Sequence, residues 1–392
     1  MLSAHLGRLD RGTAVLIELL RSRYTPLDEG RLIAALDTCS VDDWRYAVEF
    51  HGVGGLLAAF YAPALETHLD AEKRAELDRL VRAQKFETLQ QAGFLKSLLD
   101  RFERAAIPVV PIKGLPLSAR LYTDISLRVA GDIDLLVDPG SVEQAFAVLH
   151  NLGWTKLTDY ELTDEAVARR AFTYLHHRVF VREDGPRVEL HWRSASSPFL
   201  AIPPLHTLDG DLAVTQCDGL RFRMLPDEWQ THLVLCHSVH ARMGRLKWAI
   251  DVIDLLAAAP GCASTPQARR SLAISHAMLA EQLRLPGGRA GALSPLTRAV
   301  FRAAHRLEER RLVGRDSGGI SALEKIAEAL VRQAAHVLQH PPAQRFGYLR
   351  HLIGLRLSVV YFDEPVPSAH RLGALGHTLA KLFGLRTAGS RP

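Results

Sequence analysis

Gly131-Asp132-Ile133-Asp134-Leu135-Leu136-Val137 sets two acidic residues one apart inside an otherwise apolar, β-prone run. Strand side chains alternate between faces, so the stretch predicts Asp132 and Asp134 on one face. Ile133, Leu135 and Val137 then pack against a layer on the other. Two carboxylates on one face, with Cα atoms roughly 7 Å apart, repel each other unless a cation lies between them. A divalent metal is the simplest remedy. Mg²⁺ commonly combines one or two protein carboxylates with substrate phosphates, which makes phosphoryl or nucleotidyl transfer the first chemistry to test.

A second strand pattern, Val188-Glu189-Leu190-His191-Trp192, puts Glu189 and His191 on one face and Val188, Leu190 and Trp192 on the other. If it lies beside the acidic strand, Asp132, Asp134 and Glu189 converge. Together they can hold two metal ions about 4 Å apart, a clamp for the attacking and leaving oxygens of an in-line displacement. An exposed hairpin with a solvated polar face is the plainer reading of Glu189. Upstream, Pro111-Ile112-Lys113-Gly114 ends a predicted strand where a helix begins, and such a junction offers free backbone N–H groups to an anion. Gly114 would let phosphate approach the main chain, and Lys113 could neutralise it as a point charge. Arg128 has two readings, a contact to a triphosphate or a pairing with a carboxylate such as Asp124. His191 could contact phosphate or make a structural hydrogen bond.

Outward from this centre the hydrophobic period changes twice. From Thr13 to about Ala106 the pattern is helical, broken near Thr25-Pro26 and between Gly52 and Gly55. Asp70 to Arg104 reads as one long helix, with Leu77, Leu80, Val81, Phe86, Leu89, Phe94 and Leu98 in its apolar stripe. Ile107 to Ile112 is a short strand and Gly114 to Leu121 a helix. A helix from Ser141 to Leu152 and a strand from Trp154 to Leu157 come after the acidic strand. Thr173 to Arg182 and Arg187 to Trp192 form a predicted hairpin, and Leu212 to Leu225 a second one turning at Asp218-Gly219. Beyond Pro226 the chain is helical again, through Trp229 to Met243, Leu246 to Ala258 and later segments to about Phe362. The expected architecture is α+β: an N-terminal helical region (1–106), a compact α/β core (107–225) and a C-terminal helical region (226–392).

Pro111-Ile112-Lys113-Gly114, Tyr122-Thr123-Asp124, Arg128, the Gly131–Val137 run and Glu189-Leu190-His191-Trp192-Arg193, in that order, resemble the DNA polymerase β-like nucleotidyltransferase superfamily. The likeness is closer to its bacterial branch of uncharacterised nucleotidyltransferases. It covers about residues 107 to 195, and the helical stretch around His237, His240, Trp248 and Asp251 is similar to the next segment of that branch. The resemblance implies a small mixed sheet, Asp132 and Asp134 as Mg²⁺ ligands, and Glu189 as a third carboxylate helping to activate an acceptor hydroxyl. Mn²⁺ is the alternative ion, and an NTP the co-substrate. Much of the superfamily opens its helix with a Gly-Ser or Gly-Gly pair about ten residues before the acidic pair. Here Gly114 follows Lys113, precedes Leu115 and stands further away, and Lys113, beside Gly114, is the expected substitute for the missing hydroxyl.

The 392 residues carry a net charge of +5, with 47% hydrophobic and 23% charged residues, as expected of a soluble globular chain of two or three units. That charge is too small to imply nucleic-acid binding without a local patch. No basic stripe interleaved with aromatics supports a polymerase or RNA-tailing role, and no DNA partner is expected. Four scattered cysteines without C-x-x-C spacing indicate neither a zinc ribbon nor a disulfide framework and fit a reducing cytoplasm. No apolar run is long enough for a stable membrane insertion. Leu372, Leu375, Leu379, Leu382 and Phe383 have helical spacing among basic residues, which suits docking on the body or contact with an anionic membrane. His176, His177, His191, His237 and His240 raise the question of zinc. The i,i+3 pair His237/His240 has no H-E-x-x-H pattern, so these two are expected near the α/β unit or lining its cleft. Trp248 and Asp251 read as helix packing and a polar anchor.

Two functions compete at this point. One is Mg²⁺-dependent transfer of a nucleoside monophosphate to an acceptor hydroxyl or phosphate, with release of pyrophosphate. Its acceptor could be a small molecule, a peptide, a protein side chain or an RNA end. The other is a catalytically inactive nucleotide-binding or protein-interaction module on the same fold.

Overall fold

A computed structural model describes residues 2–122, 124–157, 174–283, 293–313 and 322–352. Six helices open the chain: α1 (Leu2–Arg21), α2 (Glu29–Asp37), α3 (Val41–His51), α4 (Gly54–Phe60), α5 (Ala62–His68) and α6 (Ala71–Arg104). Local chemistry sets their ends. The Asp70 carboxylate caps α6 by accepting from the Lys73 N–H, and Ser40 with Asp43 closes a reciprocal capping box on α3. The long helix meets the expected bounds, but its buried face differs from the predicted stripe. Leu77 and Leu80 enter the helical core, while Leu95, Leu98 and Phe102 lie under the sheet. Between them Gln84 and Thr88 are buried, whereas Phe86 and Leu89 are 70% and 52% exposed. The reason is a connection the periodicity does not show. Gln84 uses its amide on the Gly55 N–H and on the Ser126 and Leu127 carbonyls, so that turn of α6 faces polar backbone.

The sheet is mixed, as expected. Strands β1 (Val109–Ile112), β2 (Asp132–Val137), β3 (Thr155–Lys156), β4 (His177–Val181) and β5 (Arg187–His191) stand in the order β1-β2-β5-β4-β3. Only the β2–β5 pair is parallel. One face, carrying Ile133, Leu135, Val137, Phe180, Val188 and Leu190, is covered by α6 and by α8 (Val142–Asn151), where Phe146 and Leu149 are buried. Burying each such side chain contributes about 1.5–3 kcal/mol. A hairpin of β6 (Ala213–Cys217) and β7 (Leu220–Met224) adds Leu220, Phe222 and Met224 to the same core. Its two-residue loop, Asp218-Gly219, has φ of 49° and 76°, the positive pair that matches the twist of a two-residue hairpin turn.

On the opposite face Leu136, with Val110 and Ile112, packs against Leu205, Leu208 and Leu233, the last from helix α9 (Asp227–His240). Helix α7 (Gly114–Leu121) links β1 to the loop before β2, and α10 (Leu246–Ala258) packs beside it. Helices α11 (Pro266–Gln282), α12 (Pro295–Val313) and α13 (Ala322–Gln339) follow, and a 3₁₀ turn (Pro342–Gln344) comes after them. A single apolar core joins residues of both helical regions, from Leu16 and Trp44 to Val239, Ile250 and Phe301. Among the described residues no helix is long and apolar enough to cross a membrane. Thr123, the first residue of the predicted Thr173 strand and the amphipathic stretch from His370 to Arg386 lie outside the described residues.

Candidate active site

The parallel register sets Asp134 opposite Glu189 and Leu136 opposite His191, so the polar faces of β2 and β5 form one surface. Ile112 of β1 pairs with Asp134 from the other side, and Lys113 comes directly after it. Lys113 has φ 58° and ψ −133°, a strained conformation for a residue with a Cβ. That turn ends β1, starts α7 and brings the Lys113 ammonium to Asp134 Oδ1 at 2.7 Å. The same oxygen accepts from His191 Nε2 at 2.8 Å, and His191 Nε2 also lies 3.4 Å from Glu189 Oε2. Asp134 and His191 are 4% and 1% exposed. Gly114 is buried too, and a Cβ there would come within 3.3 Å of Ala130. Close packing of α7 against the loop before β2 therefore accounts for this glycine.

The charges divide unequally. Burial would raise the Asp134 carboxyl, but the Lys113 ammonium and the His191 hydrogen bond hold it well below the usual range. Burial works against charge on Lys113 and His191 as well, yet Asp134 raises both. Burial would raise Glu189, but the His191 hydrogen bond together with the charges of His177 and His191 holds it below its ordinary value. Asp132 is the exception. Burial, then the negative charges of Asp134 and Glu189, push it up to about 6. Among the described residues no hydrogen-bond donor reaches its carboxylate. A half-buried carboxylate without a hydrogen-bond donor, beside two others, is a donor set of hard oxygens short of positive charge, which fits a divalent cation.

Arg128 does not reach this surface. Its Nε and Nη2 donate to both Asp251 oxygens at 2.6 and 2.8 Å, and both side chains are buried. The carboxylate reading of Arg128 holds in kind, but its partner is Asp251 on α10. Asp124 instead caps Ser126 and meets Lys85 at 3.4 Å. A planar guanidinium out of water is matched best by a two-oxygen acceptor, which Asp251 supplies. The loop from Ser126 to Gly131 is pinned at further points. Gln84 donates to the Ser126 and Leu127 carbonyls, Gln91 to that of Ala130 and Lys247 to that of Val129.

Lys247 was missed by sequence reasoning. Burial first, then Arg128 and Arg245, lower its ammonium to about 7, with Asp132 within electrostatic reach. The only hint in the sequence is a lysine between Leu246 and Trp248 on an apolar helix, in a chain where Arg greatly outnumbers Lys. His237 lines a small cavity with Lys113, His176, Ser194 and His240, and its ring meets Trp248 edge-on at 5.8 Å. His240 packs on His336 at 4.4 Å. Both histidines therefore lie beside the α/β unit, as expected. Residues 41–272 match the model of a family described as "Uncharacterised nucleotidyltransferase". No curated protein matches the chain.

Proposed function

The chain belongs to this family of nucleotidyltransferases, and from that premise we propose that Asp132, Asp134 and Glu189 hold Mg²⁺ and that the NTP binds against this surface. Mn²⁺ would fit the same oxygens. The carrying observation is Asp132, half-buried, without a hydrogen-bond donor and raised by desolvation and then by its acidic neighbours. The cation supplies neutralisation of the charge that develops on the phosphate oxygens. In the reaction an acceptor oxygen attacks the α-phosphorus, the bond from that phosphorus to the α–β bridging oxygen breaks, and pyrophosphate leaves. Glu189 takes the proton of an acceptor hydroxyl. Lys113, at the start of α7 and 2.7 Å from Asp134, would neutralise a phosphate oxygen as a point charge.

The test is incubation with α-labelled NTPs, Mg²⁺ and candidate hydroxyl or phosphate acceptors. Asp132→Asn and Asp134→Asn are each expected to lower transfer by about two to three orders of magnitude. Transfer that persists in the double variant would sink the assignment of these residues. One observation favours a second reading, a nucleotide-binding module without turnover: Lys113 and His191 already satisfy Asp134 Oδ1. Calorimetry separates the two, since NTP and Mg²⁺ binding without turnover across a broad acceptor screen supports the module.

A further inference from the structure

His191 donates its Nε2–H to Asp134, and its other ring nitrogen, Nδ1, is buried with no hydrogen-bond partner. Two more imidazoles stand beside it. His176 and His177, at the entry to β4, place their ring centres 5.6 and 4.9 Å from that of His191 and 4.2 Å from each other. The pairing of His177 with His191 across β4 and β5 makes this neighbourhood a property of the sheet register. One ring nitrogen from each of the three lies within 4.8 Å of the others. Glu189 Oε2, of the carboxylate site, lies beside the group, 3.9 Å from His177 Nε2.

We propose that His176, His177 and His191 bind one transition-metal ion, Zn²⁺ in kind, at a site separate from the carboxylate site for Mg²⁺. Three imidazoles with a carboxylate neighbour suit such an ion and are poor donors for Mg²⁺. A tetrahedral ion holds its nitrogen ligands about 3.4 Å apart, given bonds of about 2.0–2.1 Å. The observed nitrogens, within 4.8 Å of one another, would have to draw closer to reach that spacing. The hydrogen bond from His191 Nε2 to Asp134 is the outer contact that metal-bound histidines usually make, and it leaves Nδ1 as the free ligand atom. Binding would also part the 2.9 Å contact between His177 Nδ1 and His176 Nε2. The zinc question raised by the five histidines thus finds its candidate at the hairpin rather than in the His237/His240 helix.

The proposal stands whether or not the chain transfers nucleotides, and metal binding itself tests it. The full-length protein is stripped with a chelator and titrated with Co²⁺, followed by visible d–d absorption and by displacement with Zn²⁺. One Co²⁺ per chain with a tetrahedral spectrum, unaffected by a large excess of Mg²⁺, is the expected result. His176→Ala and His177→Ala should each weaken Co²⁺ by at least about tenfold, with circular dichroism reporting that the fold persists. Asp132→Asn should leave the affinity within about twofold, since that residue belongs to the other site. Absence of stoichiometric binding, equal affinity in folded His176→Ala and His177→Ala, or loss of Co²⁺ in Asp132→Asn would each overturn the proposal. Failure to transfer nucleotide would leave it intact.

Discussion

Asp132 illustrates a residue whose placement opposes stability. Its carboxyl titrates at about 6 in the folded chain against 3.8 for an ordinary one. Below about pH 4 both states hold the proton and the position costs nothing. As pH rises through about 4 to 6 the unfolded chain loses its proton first, so the stability contributed by the protonated form is progressively lost. Above that window the loss amounts to as much as about 3 kcal/mol. Asp132→Asn is therefore expected to raise the melting temperature of the metal-free protein at about pH 8, with a smaller gain at about pH 5. Mg²⁺ should raise the melting temperature of the parent chain and not that of the variant. Thermal denaturation with and without chelator checks both, and equal destabilisation at the two pH values would contradict this account. Lys113 shows the opposite economy, since its strained backbone is held by a buried charge contact.

Among the elements, the loop before β2 is the one whose position depends most on remote partners. Arg128 and Asp251 form a buried two-bond pair between that loop and α10, 123 residues apart in sequence. A buried pair contributes little compared with an apolar replacement, but breaking it strands a charge. Asp251→Ala is expected to cost about 3–5 kcal/mol in urea unfolding. The double replacement Arg128→Met with Asp251→Leu should recover most of that loss. If the single and double variants are equally unstable, the pair is not the reason the loop holds. Helix α6 depends on remote partners in a different way. Its length and caps arise from local sequence, while its buried face is set by the layers it crosses, the helical core at Leu77 and Leu80 and the sheet at Leu98 and Phe102.

At the scale of the whole molecule, the helices before and after the sheet share a core. Val15, Leu19 and Trp44 of the first helices are in one cluster with Val234, Val239 and Ile250 of the later ones. Tyr122 reinforces the join, since Asp254 accepts from its hydroxyl at 2.6 Å and also pairs with Arg23 of the N-terminal region. Removing residues 1–106 would bare the apolar faces of α9 and α10. A chain beginning at residue 107 is expected to bind a hydrophobic dye and to lose its cooperative melting transition. A sharp, dye-free transition would instead mark residues 107–392 as an independent folding unit.

Strand and helix identity and the shared face of Asp132 and Asp134 were legible because they arise from short-range periodicity, whereas the mixed sheet was expected from the resemblance to the nucleotidyltransferases. Alternation in Gly131–Val137 and in Val188–Trp192 sorts polar from apolar side chains without reference to the rest of the chain. Turn chemistry at Asp218-Gly219 was equally local. Tertiary structure alone decided which groups meet across distance. It set Lys113 on Asp134, gave Arg128 to Asp251 rather than Asp124, buried Lys247 beside the loop and gathered His176, His177 and His191. Periodicity tells which way a side chain points, whereas the partner of a charge depends on strand register and on which helix crosses the sheet. Those are settled by packing over more than a hundred residues.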